Sequence, residues 1–492
     1  MELTPAACYR AIASKDARFD GRFFTGVVTT GVYCRPVCPA RVPHRENVRF
    51  FPSAAAAEAA GFRPCLRCRP EASPGTPAWL GTSATVARAL RQIDAGALDH
   101  GDVPALAARL GVGERHLRRL FLAHLGAAPL AVAQTRRVQL AKKLIDETGL
   151  SMTRIALESG FPSVRRFNAT MRRVYGRSPS ALRRAPGAVA PRARGAGPLR
   201  LQLAYRPPLD WRKLLAYLEP RAIPGVESAA GGAYRRALRI GDAEGVVEVR
   251  PLRGRHALEL LVPESLSAHL PSIVHRARIV FDLGADPGEI VSHLRLDPDL
   301  RARLRHRRDV RVPGAWDGFE LAVRAVLGQR ISVRAATTLA GRLAQRFGTP
   351  LAHPAGPLTH TFPGAATIAR VSPRDSGLTA AGTRALAALA DAAARGTLAL
   401  DAADGLDAAL ARLTALPGFG AWTAHYVAMR AMSEPDAFPA GDLGLRKAFA
   451  AAGALPGEAA LERRAESWRP WRAYAAMLIW TSDTAAGKGD ET

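Results

Sequence analysis

Cysteine is scarce in this 492-residue chain: there are five, and four of them fall between positions 34 and 68. So few, so crowded, cannot staple a chain of this length, and they point to a metal rather than to disulfides. Acidic side chains are also in deficit, 43 against 69 Lys plus Arg, for a formal net charge of +26. That excludes an acidic disordered protein and argues for a polyanionic partner, nucleic acid first. A GC-rich coding bias would inflate arginine in the same way, so charge alone does not decide the matter. Long hydrophobic runs are missing too. No stretch approaches about 18 uninterrupted apolar residues, so no transmembrane helix is expected. The N-terminal MELTPAACYRAIASKDARFDGR has no basic-then-apolar signal architecture, and the expected location is the cytoplasm. What is abundant is apolar content, 48% of residues, over a length that suits roughly three or four domains.

Two Pro/Gly-rich seams divide the chain, at residues 70–82 and 183–200, and both read as linkers. Between them, residues 82–185 carry 18 basic and 7 acidic side chains, the densest basic field in the sequence. Beyond the second seam the pattern changes near residue 310. ALRIGDAEGVVEVRPLRGRHALELLVPES alternates apolar and polar residues and predicts antiparallel strands. Alanine-rich segments such as FELAVRAVLGQRISVRAATTLAGRLAQRF follow with a 3.6-residue period and predict helices.

Cys34 and Cys38 are separated by three residues and Cys65 and Cys68 by two, a C-x3-C … C-x2-C spacing suited to tetrahedral Zn²⁺ held by four thiolates. Spacing alone is equally served by a zinc knuckle that only folds its module. Cys8 is left over. The words around the quartet, TTGVYCRPVCPARVPHRENVRFF and AAGFRPCLRCRPE, resemble the N-terminal domain of the bacterial Ada family across residues 10–72. The resemblance implies that Cys34 is both zinc ligand and nucleophile, taking a methyl group irreversibly from a methylated DNA phosphate. A thiolate is the reactive form of cysteine, and a dication keeps it deprotonated. Four thiolates around Zn²⁺ carry −2, which repels ordinary phosphodiesters but not a neutral phosphotriester. After transfer the site drops to −1, so repair doubles as a signal for tighter DNA binding. Arg41 and Arg45 are the candidate phosphate contacts.

VPALAARLGVGERHLRRLFLAHLGAAP and MTRIALESGFPSVRRFNATMRRVYGRSP repeat one plan: a short helix, a glycine turn, an arginine-rich helix and G-x-x-P. The pair resembles the AraC/XylS family of activators over residues 82–185. The second helices, expected at about 113–123 and 163–173, would enter successive major-groove segments. Arg115, His116 and Arg119 in the first, and Ser163, Arg165 and Arg166 in the second, are the candidate DNA-facing residues. An activator of this kind implies RNA polymerase as a further partner. Members of the Ada family proper end in an alkyltransferase with a Pro-Cys-His-Arg motif. This chain has no cysteine after Cys68, so that activity is not expected.

LTALPGFGAWTAHYVAMR, residues 413–430, is L-P-G-x-G leading into a helix, the form of a helix-hairpin-helix. Gly418 and Gly420 let the backbone approach a DNA phosphate and offer N–H groups at a helix start. In such hairpins the carbonyls near Thr414, Leu416 and Gly418 commonly hold a monovalent cation. Downstream, DAFPAGDLGLRKAF puts Asp442 at the opening of a helix, where an ordinary N-cap is the bland reading. Together these features resemble the helix-hairpin-helix DNA glycosylases, and most closely the 3-methyladenine DNA glycosylase II (AlkA) family over residues 200–482. The resemblance implies that Asp442 is catalytic and that Trp422, Tyr426 and Trp480 form the base pocket. A cationic alkylated base is already a good leaving group, so a carboxylate facing the oxocarbenium-like sugar and aromatic faces for the base suffice. Lyase-type relatives carry a lysine where this chain has Trp422, so no Schiff base forms and a monofunctional enzyme is expected. Gln329 and Arg330 fall where relatives insert a wedge into DNA. The relatives' wedge is an apolar leucine, and Arg330 departs from that pattern.

The sequence therefore reads as a mainly α multidomain chain that binds double-stranded DNA. Its expected parts are a small α+β four-cysteine zinc domain at 1–75, an all-α tandem helix-turn-helix at 82–185, an α+β antiparallel-sheet subdomain at 198–310 and an all-α helix-hairpin-helix glycosylase domain at 311–485. Two rivals stand beside the enzyme: a regulator whose glycosylase part only binds DNA, and a zinc-stabilised DNA-binding scaffold without chemistry.

Overall fold

The computed structural model describes residues 3–75, 84–99, 101–184, 197–305, 307–329, 331–371, 378–400, 403–450 and 454–483. Its contacts divide the chain into two units. One comprises Met1–Pro207, Val249–Arg278 and Leu283–Asp286; the other comprises Pro208–Glu248, Ile279–Asp282 and Pro287–Thr492. Among the described residues no helix is long and apolar enough to cross a membrane.

The first unit opens with helix Pro5–Ala13, capped by Thr4, against a four-stranded sheet. Phe24–Val27 lies between Val32–Cys34 and Val48–Phe51, both antiparallel to it, and Arg63–Pro64 adds in parallel to Val32–Cys34. Phe24, Tyr33, Ala54, Ala57 and Phe62 fill the core beneath. Cys8 packs with Ala11, Ile12, Phe19 and Phe23, and burial pushes its thiol up to about 11. It is a core residue, inert at neutral pH.

The helical part of this unit follows. Val103–Arg109 and Glu114–Leu125 form the first helix-turn-helix, Met152–Glu158 and Val164–Tyr175 the second, and the 19-residue helix Pro129–Glu147 joins them. The second helices start one residue later and run two residues further than the spacing predicts, because Gly113 and Ser163 serve as N-caps and Gly126 and Gly176 as left-handed C-caps.

The first seam is a linker only in part. Pro70–Ala72 is a 3-10 turn packed against helix Pro129–Glu147, with Pro70 buried. Arg69, held in the left-handed region at φ 55°, reaches Asp146 at 2.9 Å and Glu147 at 3.6 Å, while Lys142 reaches Glu71 at 3.5 Å. Ser53 Oγ donates to the Leu125 carbonyl (2.6 Å), and Thr135 Oγ1 donates to Glu58 (2.7 Å). The cysteine-bearing and helical modules are thus docked, with buried polar contacts replacing a flexible joint. The second seam lies mostly outside the described residues.

Strands Leu199–Ala204 and Ala257–Val262 pair antiparallel in the first unit, and Glu227–Ser228 with Tyr234–Ile240 in the second. The helices of the expected α+β part before residue 310 come from LPSIVHRARIV and two Pro-initiated segments (Leu270–Val280, Pro287–Leu294 and Pro298–Leu304), while the expected all-α part beyond it carries one departure. Pro350–Ala355 and Leu358–His360 make a β-hairpin turning at Gly356, φ +58°. Strand Ala243–Pro251 also begins in the second unit, and most of that unit's other described residues are helical. Gly318–Leu327 packs on Ala380–Ala394 and on Ala421–Arg430, and alanine at the contacts lets these helices approach closely.

Candidate functional site

Strand pairing assembles the cysteine cluster. Cys34 ends a strand opposite Thr25, and Cys65 follows the short strand that pairs with Val32 and Tyr33, its N–H donating to the Tyr33 carbonyl (3.0 Å). Turns close each pair: Cys38 N–H reaches the Arg35 carbonyl (3.1 Å), and Arg69 N–H the Cys65 carbonyl (3.1 Å). The four sulfurs lie within 4.8 Å of one another. Four thiols this close cannot all ionise without a cation among them. Hydrogen bonding among the four lowers Cys38 and Cys65 and raises Cys34 and Cys68. The donor set fits one tetrahedral dication. Arg35 braces the cluster: its N–H meets Cys68 Sγ at 3.4 Å, its Nη1 donates to the Cys68 carbonyl at 3.2 Å, and its guanidinium pairs with Asp20. Cys34 is half-buried, Cys68 is buried, and Arg41 and Arg45 are exposed near the cysteine pairs in sequence. Arg67, between Cys65 and Cys68 in the sequence, is exposed as well.

On the helix-turn-helix pair, Arg115, His116, Arg119, Ser163, Arg165 and Arg166 are all exposed, while Leu117, Phe121, Phe167 and Met171 of the same helices are buried. Arg119 and the His116 ring nitrogen lie 2.9 Å apart. Ser163 is committed to its helix, since its Oγ accepts from Arg166 N–H (3.2 Å). Arg118, Arg172 and Arg173 are also exposed and enlarge the basic faces.

In the second unit, Leu406–Thr414 and Ala421–Arg430 form the hairpin, capped at Gly420. Gly418 sits at φ +79°, and a Cβ there would lie 2.6 Å from Ala385 Cβ, so both backbone and space demand glycine. Gln329 ties the hairpin to the preceding helix, its amide donating to the Gly418 carbonyl (2.8 Å) and to Thr423 Oγ1 (3.1 Å). The Leu416 carbonyl accepts from Phe419 N–H at 3.1 Å. Gln329 thus acts in the fold itself, and Arg330 lies outside the described residues.

The structure brings Asp442, Trp422, Tyr426 and Trp480 together. Asp442 N-caps Leu443–Lys447, Oδ1 accepting from Leu445 N–H at 3.0 Å, so the cap reading holds. The same Oδ1 also accepts from Trp480 Nε1 at 2.8 Å, and Oδ2 accepts from Trp422 Nε1 at 3.1 Å. Trp422 and Tyr426 stack with centroids 5.4 Å apart and planes 12° from parallel, and Trp480 lies 6.4 Å from Tyr426. Behind them the buried Arg430 donates to the hydroxyls of Tyr217 (2.6 Å) and Tyr426 (3.1 Å). Burial opposes ionisation of Tyr426, but Arg430, Arg221 and Arg324 outweigh it and lower the phenol below its ordinary value. Gly444 went unnoticed in the sequence: a Cβ there would stand 3.0 Å from Asp442 Oδ1 and 3.5 Å from Trp480 Cδ1.

Known proteins match these parts. Family models fit the metal binding domain of Ada at residues 7–71, a helix-turn-helix domain at 106–185 and the AlkA N-terminal domain at 200–317. Escherichia coli DNA-3-methyladenine glycosylase 2 is 34% identical over 285 residues, 57% of this chain and 96% of that one. The solved 3-methyladenine DNA glycosylase of Archaeoglobus fulgidus superposes with a TM-score of 0.51 at 21% identity, over 58% of this chain and 99% of its own, a likeness of fold. A Mycobacterium tuberculosis protein described as a probable bifunctional transcriptional activator/DNA repair enzyme AlkA is 45% identical over 476 residues, 96% of each chain. At that identity and coverage, the chain belongs to the family of bifunctional transcriptional activator/DNA repair enzymes of AlkA type.

Proposed function

We propose that the chain repairs alkylated DNA in two ways and regulates transcription in response. Its second unit acts as a monofunctional glycosylase on 3-methyladenine-type bases. The observation that carries this reading is a carboxylate, Asp442, held between two indole N–H donors beside stacked aromatic faces, one loop beyond a DNA-binding hairpin. Trp422 and Tyr426 offer ring faces to a cationic purine, and Asp442 offers negative charge to the sugar as the glycosidic bond breaks. Trp422 supplies no amine, so water, not a lysine, adds to C1′ of the sugar as the base leaves, and the backbone is left uncut. Gly418 and Gly420 approach a phosphate. A monovalent cation at the hairpin would sit on the Thr414, Leu416 and Gly418 carbonyls.

In the first unit, Cys34, Cys38, Cys65 and Cys68 would hold one Zn²⁺, which when bound keeps the thiolates charged at neutral pH. Cys34 Sγ attacks the methyl carbon of a methylphosphotriester; the C–O bond breaks and the phosphodiester leaves as the anion. Arg41, Arg45 and Arg67 contact flanking phosphates. The exposed faces of Glu114–Leu125 and Val164–Tyr175 read an operator, with Arg115, His116, Arg119, Arg165 and Arg166 toward the groove, and RNA polymerase is the protein partner. The deciding experiment incubates the purified full-length protein with methylated duplex DNA, following released bases and protein-bound methyl together. Base release without protein methylation removes the sensor; methylation without base release leaves a regulator whose second unit only binds DNA.

A further inference from the structure

Asp442 is useful to a reacting sugar only if its carboxylate is fixed relative to the aromatic faces that hold the base, because misplacement by about 1 Å costs on the order of 100-fold in rate. The aromatics Trp422 and Tyr426 belong to helix Ala421–Arg430 and Asp442 to the loop after residue 434, so something must register one against the other. The two indole bonds do so at the carboxylate itself. A further bond lies behind them. His425, one turn after Trp422 on the same helix, accepts the Phe438 N–H on its Nδ1 at 3.1 Å. From Phe438 the chain runs to Asp442 through two successive turn bonds, Ala440 N–H to the Phe438 carbonyl and Asp442 N–H to the Pro439 carbonyl, both 2.9 Å. Phe438 is itself buried, edge-on to Trp468 with centroids 5.7 Å apart.

We infer that His425 is a positioning residue for base excision, its Nδ1 locking the Phe438–Asp442 turn to the helix that carries Trp422 and Tyr426. The inference rests on the reading of Asp442 as the excision carboxylate. An acceptor at Nδ1 requires the neutral ring with its proton on Nε2. The surroundings enforce that state. Burial leads, Arg472 and Arg469 add to it, Asp407 opposes it, and together they take His425 down to about 4. Asp436 pairs with the same arginines, with Arg472 Nε on Oδ1 at 2.7 Å, and so offsets part of their effect, which leaves burial as the main cause. A protonated ring would present a donor to the Phe438 N–H, and the lock would open.

The test compares His425→Leu, which fills the space without an acceptor, with His425→Asn, whose Oδ1 stands near the place of Nδ1, in the full-length protein. Single-turnover release of 3-methyladenine is measured alongside duplex affinity. His425→Leu should slow release by about 10–100-fold with affinity within about threefold of wild type, and His425→Asn should recover most of the rate. Wild-type release by His425→Leu, or failure of a folded His425→Asn to recover, overturns the positioning role. Asp442→Asn is run in parallel. If it excises normally, the reading of Asp442 fails; if it is inactive while both His425 variants match wild type, only the present inference fails. Should His425→Leu not fold, hydrogen exchange at the Phe438 amide of the wild-type protein decides, since exchange at the rate of an unprotected amide excludes the bond.

Discussion

Trp480 Nε1 donates to the Asp442 oxygen that also caps the following helix, 2.8 Å from the indole and 3.0 Å from Leu445 N–H. One carboxylate oxygen thus serves structure, and its partner, held by Trp422, completes the frame. Asn keeps the size of Asp and, through its one oxygen, the cap, but loses the charge and turns an amide N–H towards the Trp422 N–H, so Asp442→Asn tests the charge at the expense of one indole bond. Release of 3-methyladenine should fall by about 10²–10³-fold, as for loss of one placed electrostatic partner. Duplex affinity and methyl uptake by the cysteine cluster should stay near wild type, and the melting temperature should fall only by what the lost Trp422 bond, about 1 kcal/mol, is worth. Excision at the wild-type rate would leave Asp442 a cap and nothing more.

How much of this was legible in the sequence depended on how far the chemistry constrains local spacing. Cys34, Cys38, Cys65 and Cys68 announce themselves because a tetrahedral ion needs four donors on two tight turns. The twin helix-turn-helix units and the hairpin glycines are legible for the same reason, since each is a short-range geometry. The partners of Asp442 are not. Trp422 lies 20 residues before it and Trp480 38 after, and only packing of three separate helices brings the indole N–H groups onto one carboxylate. Pro70 and Glu71 misled in the other direction. A Pro/Gly/Ser-rich stretch reads as a linker, yet its first residues are buried against a helix some seventy residues on, a pairing that composition does not encode.

The hairpin can be broken with a single methyl group. Gly418→Ala forces a left-handed residue to carry a Cβ, at roughly 1–2 kcal/mol, and drives that Cβ to 2.6 Å from Ala385 Cβ. The turn must move, and the Gln329 amide loses the Gly418 carbonyl. Calorimetry should show a lower melting transition, and affinity for undamaged duplex should drop, because the same turn presents the N–H groups proposed to hold a phosphate. Gly420→Ala meets nothing within 4 Å and should fold normally.

The cysteine cluster predicts a charge switch. One Zn²⁺ per chain is expected by metal analysis, and after reaction with methylated DNA the label should map to Cys34 by peptide mass. Conversion of a thiolate to a thioether takes the zinc-loaded site from −2 to −1, so the methylated protein should bind operator more tightly. Log K should fall by about 0.9 per phosphate contact per log unit of salt. Equal operator affinity before and after methylation refutes the switch, and label on Cys38, Cys65 or Cys68 refutes the assignment of the nucleophile.

Arg69 follows the ligand Cys68 directly and sits among Glu71, Asp146 and Glu147, whose side chains are between 2% and 6% exposed. Removing one partner of a buried pair costs about 3–5 kcal/mol. Lys142, 2.5 Å from Asp146, offsets part of that, so Arg69→Met should fall at or below the lower end. If the docking of the cysteine module on helix Pro129–Glu147 transmits the switch, Arg69→Met with zinc retained should still accept methyl but gain less operator affinity from it. An unchanged gain confines the switch to electrostatics at the site.

The depressed pKa of His425 makes a claim about stability that needs no catalytic readout. The ordinary histidine value is 6.5, and in the folded protein it is about 4. Between those values the unfolded chain binds a proton that the folded chain refuses, so stability rises with pH across that window and is lost as pH falls through it. At about 1.4 kcal/mol per pKa unit, the folded state should lose on the order of 3 kcal/mol between pH 6.5 and pH 4 from this ring. Asn cannot titrate there. The difference between wild type and His425→Asn in unfolding free energy should therefore shrink, or reverse, as pH is lowered. His275, likewise held at about 4 mainly by burial, is present in both proteins and cancels in the comparison. Parallel curves from about pH 7 to pH 4 would mean that His425 protonates freely in the folded protein, and its Nδ1 would then not be the acceptor that holds Phe438.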